Sequence, residues 1–132
     1  MKPLTELASL RATHGREENE YESAFEPETA TLWGYFNPQG APRFSLSLLA
    51  DIRAHDSALQ AANGHVLHDG AMHKVNYYVA ASRVPGIYNL GGDLSLFLLL
   101  IRARDREALS HYARLCIDNI YPRIRNYFCP TL

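Results

Sequence analysis

The chain is poor in cysteine, in lysine and in long apolar runs. Its 132 residues hold two cysteines, Cys116 and Cys129. Two thiols without a C-x-x-C spacing form neither a disulfide framework nor a zinc knuckle, and they read as reduced thiols of a cytoplasmic protein. The longest unbroken apolar stretch is residues 96–101, against the roughly 20 residues a helix needs to cross a bilayer, so no membrane span is expected. The opening Met1-Lys2-Pro3-Leu4-Thr5-Glu6 lacks the apolar run of a secretion signal. Lysine occurs only as Lys2 and Lys74, and the formal net charge is −1. A chain so nearly neutral has no polyanion-binding signature, and no nucleic-acid partner is expected.

At 47% hydrophobic and 20% charged, the sequence has the composition of one soluble globular domain. Charge is nonetheless uneven. Residues 1–28 carry seven Glu against Lys2, Arg11 and Arg16, while residues 102–125 carry six Arg against Asp105, Glu107 and Asp118. Both stretches fit solvated faces.

Residues 1–20 are polar and read as an N-terminal arm with little burial. From Tyr21 the pattern changes. Residues 21–25 and 30–36 are aromatic-rich strand-like runs separated by Glu26-Pro27-Glu28-Thr29, a pattern that predicts an antiparallel hairpin. Asn37-Pro38-Gln39-Gly40-Ala41-Pro42 is a loop. Ser45 offers an N-cap, Leu48, Ile52, His55 and Leu59 form one helical face, and Asn63-Gly64 ends the helix. A His- and Gly-rich loop then leads to residues 75–81, apolar on nearly both faces as in a parallel strand. A turn at Arg83-Val84-Pro85-Gly86 precedes a helix from about Leu94. The last helix carries Leu109, Tyr112, Ala113, Cys116, Ile117, Ile120, Tyr121 and Ile124 at intervals of three and four, with Pro122 predicting a kink or a new start. The order β-β-α-β-α-α signals an α/β domain.

Between residues 75 and 93 a strand runs into a loop that ends in two glycines and an acidic residue at a helix start. Asp93 suits an N-cap, and Gly91 and Gly92 permit positive φ and close backbone approach. The N–H groups of Leu90 and Gly91 are expected to point outward, unpaired, near the positive end of the helix dipole. Amides so placed can stabilise a developing oxyanion. The same string also suits an ordinary strand-to-helix turn.

The long form of this segment, Val79-Ala80-Ala81-Ser82-Arg83-Val84-Pro85-Gly86-Ile87-Tyr88-Asn89-Leu90-Gly91-Gly92-Asp93-Leu94, resembles the first oxyanion-loop region of the crotonase (enoyl-CoA hydratase/isomerase) superfamily, and within it the diffusible signal factor synthases. Phe36-Asn37-Pro38 through Phe44, Leu48-Leu49-Ala50-Asp51-Ile52-Arg53, Leu100-Ile101-Arg102-Ala103-Arg104-Asp105-Arg106 and Tyr112-Ala113-Arg114 with Cys116-Ile117-Asp118 extend the likeness across residues 21–132. The resemblance implies a crotonase-like ββα spiral over residues 21–132, cut short before its C-terminal half. It implies an acyl-CoA or acyl-carrier-protein thioester as substrate, with no metal or redox cofactor and with homo-oligomerisation. In that branch a 3-hydroxyacyl thioester is dehydrated to a cis-2-enoyl product and hydrolysed to a fatty-acid quorum-sensing signal by two glutamates. Leu90 would supply one oxyanion amide, with Gly91, Gly92 and Asp93 shaping the loop. Arg83 is a candidate for a CoA or carrier phosphate, or simply a solvent-facing turn residue. The glutamates and the second oxyanion loop would follow residue 132, so the chain alone is expected to be inactive. Tyr77, Val79, Ile117, Ile120 and Ile124 would then need covering, and self-association is expected. The alternative is a non-catalytic interaction module, or a truncated gene product, that pairs with a full-length relative.

Other groupings carry less. His65, His68, Asp69 and His73 contain zinc-type ligands but match no standard spacing. His111 and Cys116, five residues apart on a helix, point about 140° apart and share no face. Trp33 and the hairpin tyrosines read as core or interface, since no basic stripe interleaves them.

Overall fold

The computed structural model describes residues 19–129. All but the last two residues of the polar N-terminal arm lie outside that range. Of these two, Glu20 is buried, its backbone N–H donating to Asp51 Oδ2 at 2.9 Å.

The architecture is mixed α/β. Strands β1 (Tyr21–Glu26) and β2 (Thr31–Phe36) form the expected antiparallel hairpin, with Tyr21 opposite Phe36 and Glu26 opposite Thr31. Helix α1 (Leu46–Ala61) follows, capped by Ser45, whose side chain accepts from the Leu48 amide. It ends where Asn63 and Gly64 take positive φ and the Gly64 amide reaches back to the Leu59 carbonyl. Strand β5 (Tyr77–Ser82) lies parallel to β2, Thr31 beside Tyr77, which gives a three-stranded sheet of order β1-β2-β5. Among the described residues, helices α2 (Leu94–Arg102) and α3 (Arg106–Ile124) complete the longer regular elements, followed by a single 3-10 turn, Asn126–Phe128.

One expectation is corrected. The His- and Gly-rich segment is a second hairpin, β3 (His65–His68) paired antiparallel with β4 (Ala71–Lys74). Its two-residue Asp69-Gly70 connection has both φ angles positive, 49° and 79°, which suits the turn that matches strand twist in short hairpins. On α3 the residues expected to need covering are the open ones. Its buried line runs through Ala108, Tyr112, Asn119 and Pro122, whereas Ile117, Ile120, Tyr121 and Ile124 are exposed. The helix carries two adjacent apolar stripes, and only one packs on the rest of the described chain. It also continues through the buried Pro122 to Ile124.

Hydrophobic packing is divided. Leu49, Leu100, Ala108 and Tyr112 join α1, α2 and α3. Tyr21, Phe36, Leu48 and Ile52 seat α1 on the hairpin. Leu32, Leu59, Val75, Tyr127 and Cys129 close the far end. Among the described residues, β5 pairs only with β2, and its Tyr77 and Val79 side chains are exposed.

Candidate functional site

The turn before α2 is stitched to the loop that precedes α1. The Phe44 amide donates to the Gly91 carbonyl at 2.8 Å, and the Leu90 amide donates to the Pro42 carbonyl at 2.7 Å. Phe44 and Gly92 form an isolated parallel bridge. The Gly91 amide donates to its own neighbour's side chain, Asn89 Oδ1, at 2.6 Å. The expectation that the Leu90 and Gly91 amides stand unpaired is therefore corrected. A bent segment, residues 42–44, lies alongside the turn and supplies an acceptor that local sequence could not reveal.

The remaining features of the turn match their residues. Gly91 has φ 91°, a region that L side chains rarely adopt. Asp93 caps α2, accepting from the Leu96 amide at 3.1 Å. The Asp93 amide in turn donates to the Tyr112 hydroxyl at 3.1 Å, and that hydroxyl donates to the Phe44 carbonyl. Tyr112 on α3 thus ties the α1 loop to the α2 turn. Burial is the first cause that pushes its phenol up to about 12. Arg43 lies 3.5 Å from the Asp93 carboxylate and also reaches Ser95. The Leu90 and Leu94 side chains beside the turn are 66% and 73% exposed.

Arg83 sits elsewhere in the bonding pattern. Its guanidinium lies 3.8 Å from the centroid of the Tyr35 ring and pairs with Glu22 at 3.3 Å. It braces the outer face of the hairpin, and a phosphate would compete with Glu22 for it.

The most concentrated polar chemistry in the interior was not foreseen. Asp56 on α1 is 2% exposed. Its carboxylate accepts from the Tyr78 hydroxyl at 2.9 Å and from Arg123 at 3.3 Å, and His55 Nδ1 lies 3.1 Å away. Tyr21 and Tyr78 share a short hydroxyl–hydroxyl bond, and Tyr127 stacks on Tyr78 with ring centroids 5.3 Å apart. Burial raises both tyrosine hydroxyls, Tyr78 far above its ordinary value, with the neighbouring Asp56 adding to the rise. Burial opposes the Arg123 charge, but Tyr78 and Asp56 outweigh it and hold the guanidinium protonated. Gly34 makes room for this cluster, since a Cβ there would lie 1.9 Å from the Tyr21 hydroxyl oxygen. The cluster links β1, α1, β5 and α3. Asp56 and Arg123 each share a helix with other charged residues, and their partnership spans 67 residues, so no local signal marked it.

Among the described residues, no group of three or more His, Cys, Asp or Glu is placed to hold a metal ion. His68 and His73 face each other across the β3–β4 hairpin, rings 5.8 Å apart, and both pack on Phe25. Cys116 is half-buried and packs on the helical core, and burial raises its thiol. Cys129 is buried, its thiol donating to the Tyr127 carbonyl. Glu107 and Asp118 are exposed. No described helix is long and apolar enough to cross a membrane.

Comparison with family models and with curated proteins finds no match. Among solved structures, the chain is similar to Pseudomonas aeruginosa DspI, with a TM-score of 0.54 and 15% sequence identity. The likeness covers 80% of this chain but 36% of that one, so the chain spans about a third of its structural neighbour. At that identity the comparison speaks to fold alone: the mixed α/β arrangement of the described residues is like that of part of DspI.

Proposed function

We propose that this chain is the thioester-holding part of an enoyl-CoA hydratase-like enzyme of the signal-synthase type, acting on acyl-CoA or acyl-carrier-protein thioesters. The layered ββα spiral, the dehydration of a 3-hydroxyacyl group and the release of a cis-2-enoic acid belong to this reading. The observation that carries it is the Leu90–Asp93 turn: a glycine turn at the head of α2, on a crotonase-like fold, flanked by the open apolar side chains of Leu90 and Leu94. An acyl oxygen would take the Leu90 N–H in place of the Pro42 carbonyl. Exchanging one amide–carbonyl bond for another is nearly neutral, since each is worth about 1 kcal/mol net. Pro42 is only half-buried, so its released carbonyl has access to water. Gly91 and Gly92 keep side chains out of the path, and Asp93 fixes the helix behind them. No acidic residue here matches a catalytic glutamate of the resemblance, so binding without turnover is expected of residues 1–132.

The test is calorimetric titration of the full chain with a medium-chain 3-hydroxyacyl-CoA, beside Leu90→Pro, which removes the donor. Circular dichroism would verify that the variant is folded. Loss of affinity by about tenfold or more in Leu90→Pro supports the proposal. Unchanged affinity, or turnover by the chain unaided, overturns it.

A second reading, a non-catalytic module that pairs with a relative, is favoured by the Leu90 amide being already satisfied and by the open stripe of α3. It expects no thioester binding and a concentration-dependent assembly instead.

A further inference from the structure

Helix α2 is apolar at every position except Ser95 and Arg102. A helix apolar on all sides is ordinarily covered on all sides, yet α2 is covered on one. Leu100 is buried, and Leu96 and Phe97 pack on the core shared with α1 and α3. Leu94, Leu98 and Ile101, spaced i, i+4 and i+7 along the opposite side, are 73%, 48% and 60% exposed. Arg102 stands one turn from Leu98 on that open side, and Arg104 and Arg106 follow in the bend to α3; all three are exposed. Among the described residues, the arginines paired with carboxylates are Arg43, Arg83 and Arg123. Arg104 and Arg106 instead line a hollow of about 280 Å³ beside Ile101 and Leu109. The carboxylate in its wall, Asp105, accepts from the Ala108 amide as the cap of α3, and Glu107 lies outside the hollow. Arg106 opens α3, the end at which the helix dipole disfavours a cation, so helix formation does not account for its placement.

We infer that the open face of α2 is a docking surface for an anionic lipid bilayer. Leu98 and Ile101 enter the acyl boundary, and Arg102, Arg104 and Arg106 meet the headgroup phosphates. This is the division of labour of an interfacial helix, with aliphatic side chains below and arginines reaching up to the headgroups. Lipid suits the face better than a protein partner does. The open side of α2 offers leucine and isoleucine without a Trp or Tyr anchor, and leucine seldom carries the energy of a protein interface. The inference does not rest on the thioester reading, whose carrier is the Leu90 amide. Vesicle binding and thioester binding are measured separately, so either can fail alone.

The test is flotation of the full chain with vesicles of phosphatidylcholine alone and of phosphatidylcholine mixed equally with phosphatidylserine. The chain is expected to bind the mixed vesicles about tenfold or more tightly than the neutral ones, since each arginine near an anionic surface is worth about fivefold in partition. Arg102→Gln with Arg104→Gln and Arg106→Gln is expected to weaken mixed-vesicle binding by about tenfold or more. Leu98→Ser with Ile101→Ser is expected to weaken it by about tenfold as well, through the lost apolar area. All five side chains are exposed, so circular dichroism is expected to show both variants folded. Equal binding to the two vesicle types, or a serine variant that binds as the parent does, overturns the inference. No flotation with either vesicle also overturns it. In that case binding of polyglutamate assigns the face to an acidic protein, and a changed sedimentation of the serine variant assigns it to a second copy.

Discussion

Replacing Arg123 with Met tests whether the buried polar cluster holds the sheet and the two long helices together. The Asp56 carboxylate, 2% exposed, would keep the Tyr78 hydroxyl at 2.9 Å and His55 at 3.1 Å but lose its only guanidinium. Stranding a buried carboxylate in this way costs about 3–5 kcal/mol. The Arg123 side chain is 27% exposed, so the lower end, about 3 kcal/mol, is the appropriate figure. For a domain of this size, about 4 °C of melting temperature per kcal/mol gives a fall of about 12 °C. Removing both charges, in Asp56→Leu with Arg123→Met, is expected to recover at least half of that loss, because an apolar pair of similar volume avoids the stranded charge. Thermal unfolding by circular dichroism, checked by urea titration, reads all four corners of the cycle. A single-variant shift under about 3 °C, or a double variant that loses the sum of the singles, would refute the claim that the two charges depend on each other.

Gly34→Ala is expected to lose about 1–3 kcal/mol in urea unfolding, because the new methyl displaces the Tyr21 hydroxyl from its partners; a neutral result would mean the cluster is loosely built. Asp93→Ala should destabilise by about 1 kcal/mol through the lost cap on Leu96, and a change under a few tenths would show that α2 does not rely on it. Alkaline stability gives a third check. Tyr112 is raised from 10 to about 12 by burial, so folding keeps its proton where the unfolded chain has lost it. The contribution is complete below pH 10 and is lost as pH climbs toward 12; a melting temperature flat across that window, in the intact chain and in Tyr112→Phe alike, would contradict it. Ile117→Lys with Ile124→Lys is expected to weaken self-association in sedimentation runs at micromolar concentration, and a monomeric parent chain would remove the premise.

Local rules were enough to read much of this fold from sequence. Ser45 as a cap, Asn63-Gly64 as a stop, the β1–β2 hairpin and Asp93 as a second cap each depend on neighbours within a few residues, and each is found. The β3–β4 hairpin was also legible: Asp69-Gly70 is a strong two-residue turn, but the histidines around it drew attention to ligand chemistry. The rest lay beyond local reading. Periodicity marked α3 as apolar on a wide arc, and the Ile117 and Ile124 stripe expected to need covering is the one left open, but periodicity could not show that the buried line runs through Ala108, Tyr112, Asn119 and Pro122. The pairing of the Leu90 amide depends on Pro42, and that of Asp56 on Arg123. Both are contacts made by topology between segments far apart in the chain, with no spacing to betray them.

The central claim, that the Leu90 N–H receives a thioester oxygen, is tested most directly by backbone amide shifts during titration with a non-reactive acyl-CoA analogue. The account predicts that Leu90 and Gly91 move first, together with Phe44, as the Pro42 carbonyl gives way. Saturating analogue with those amides unmoved and slow Leu90 hydrogen exchange retained would contradict it.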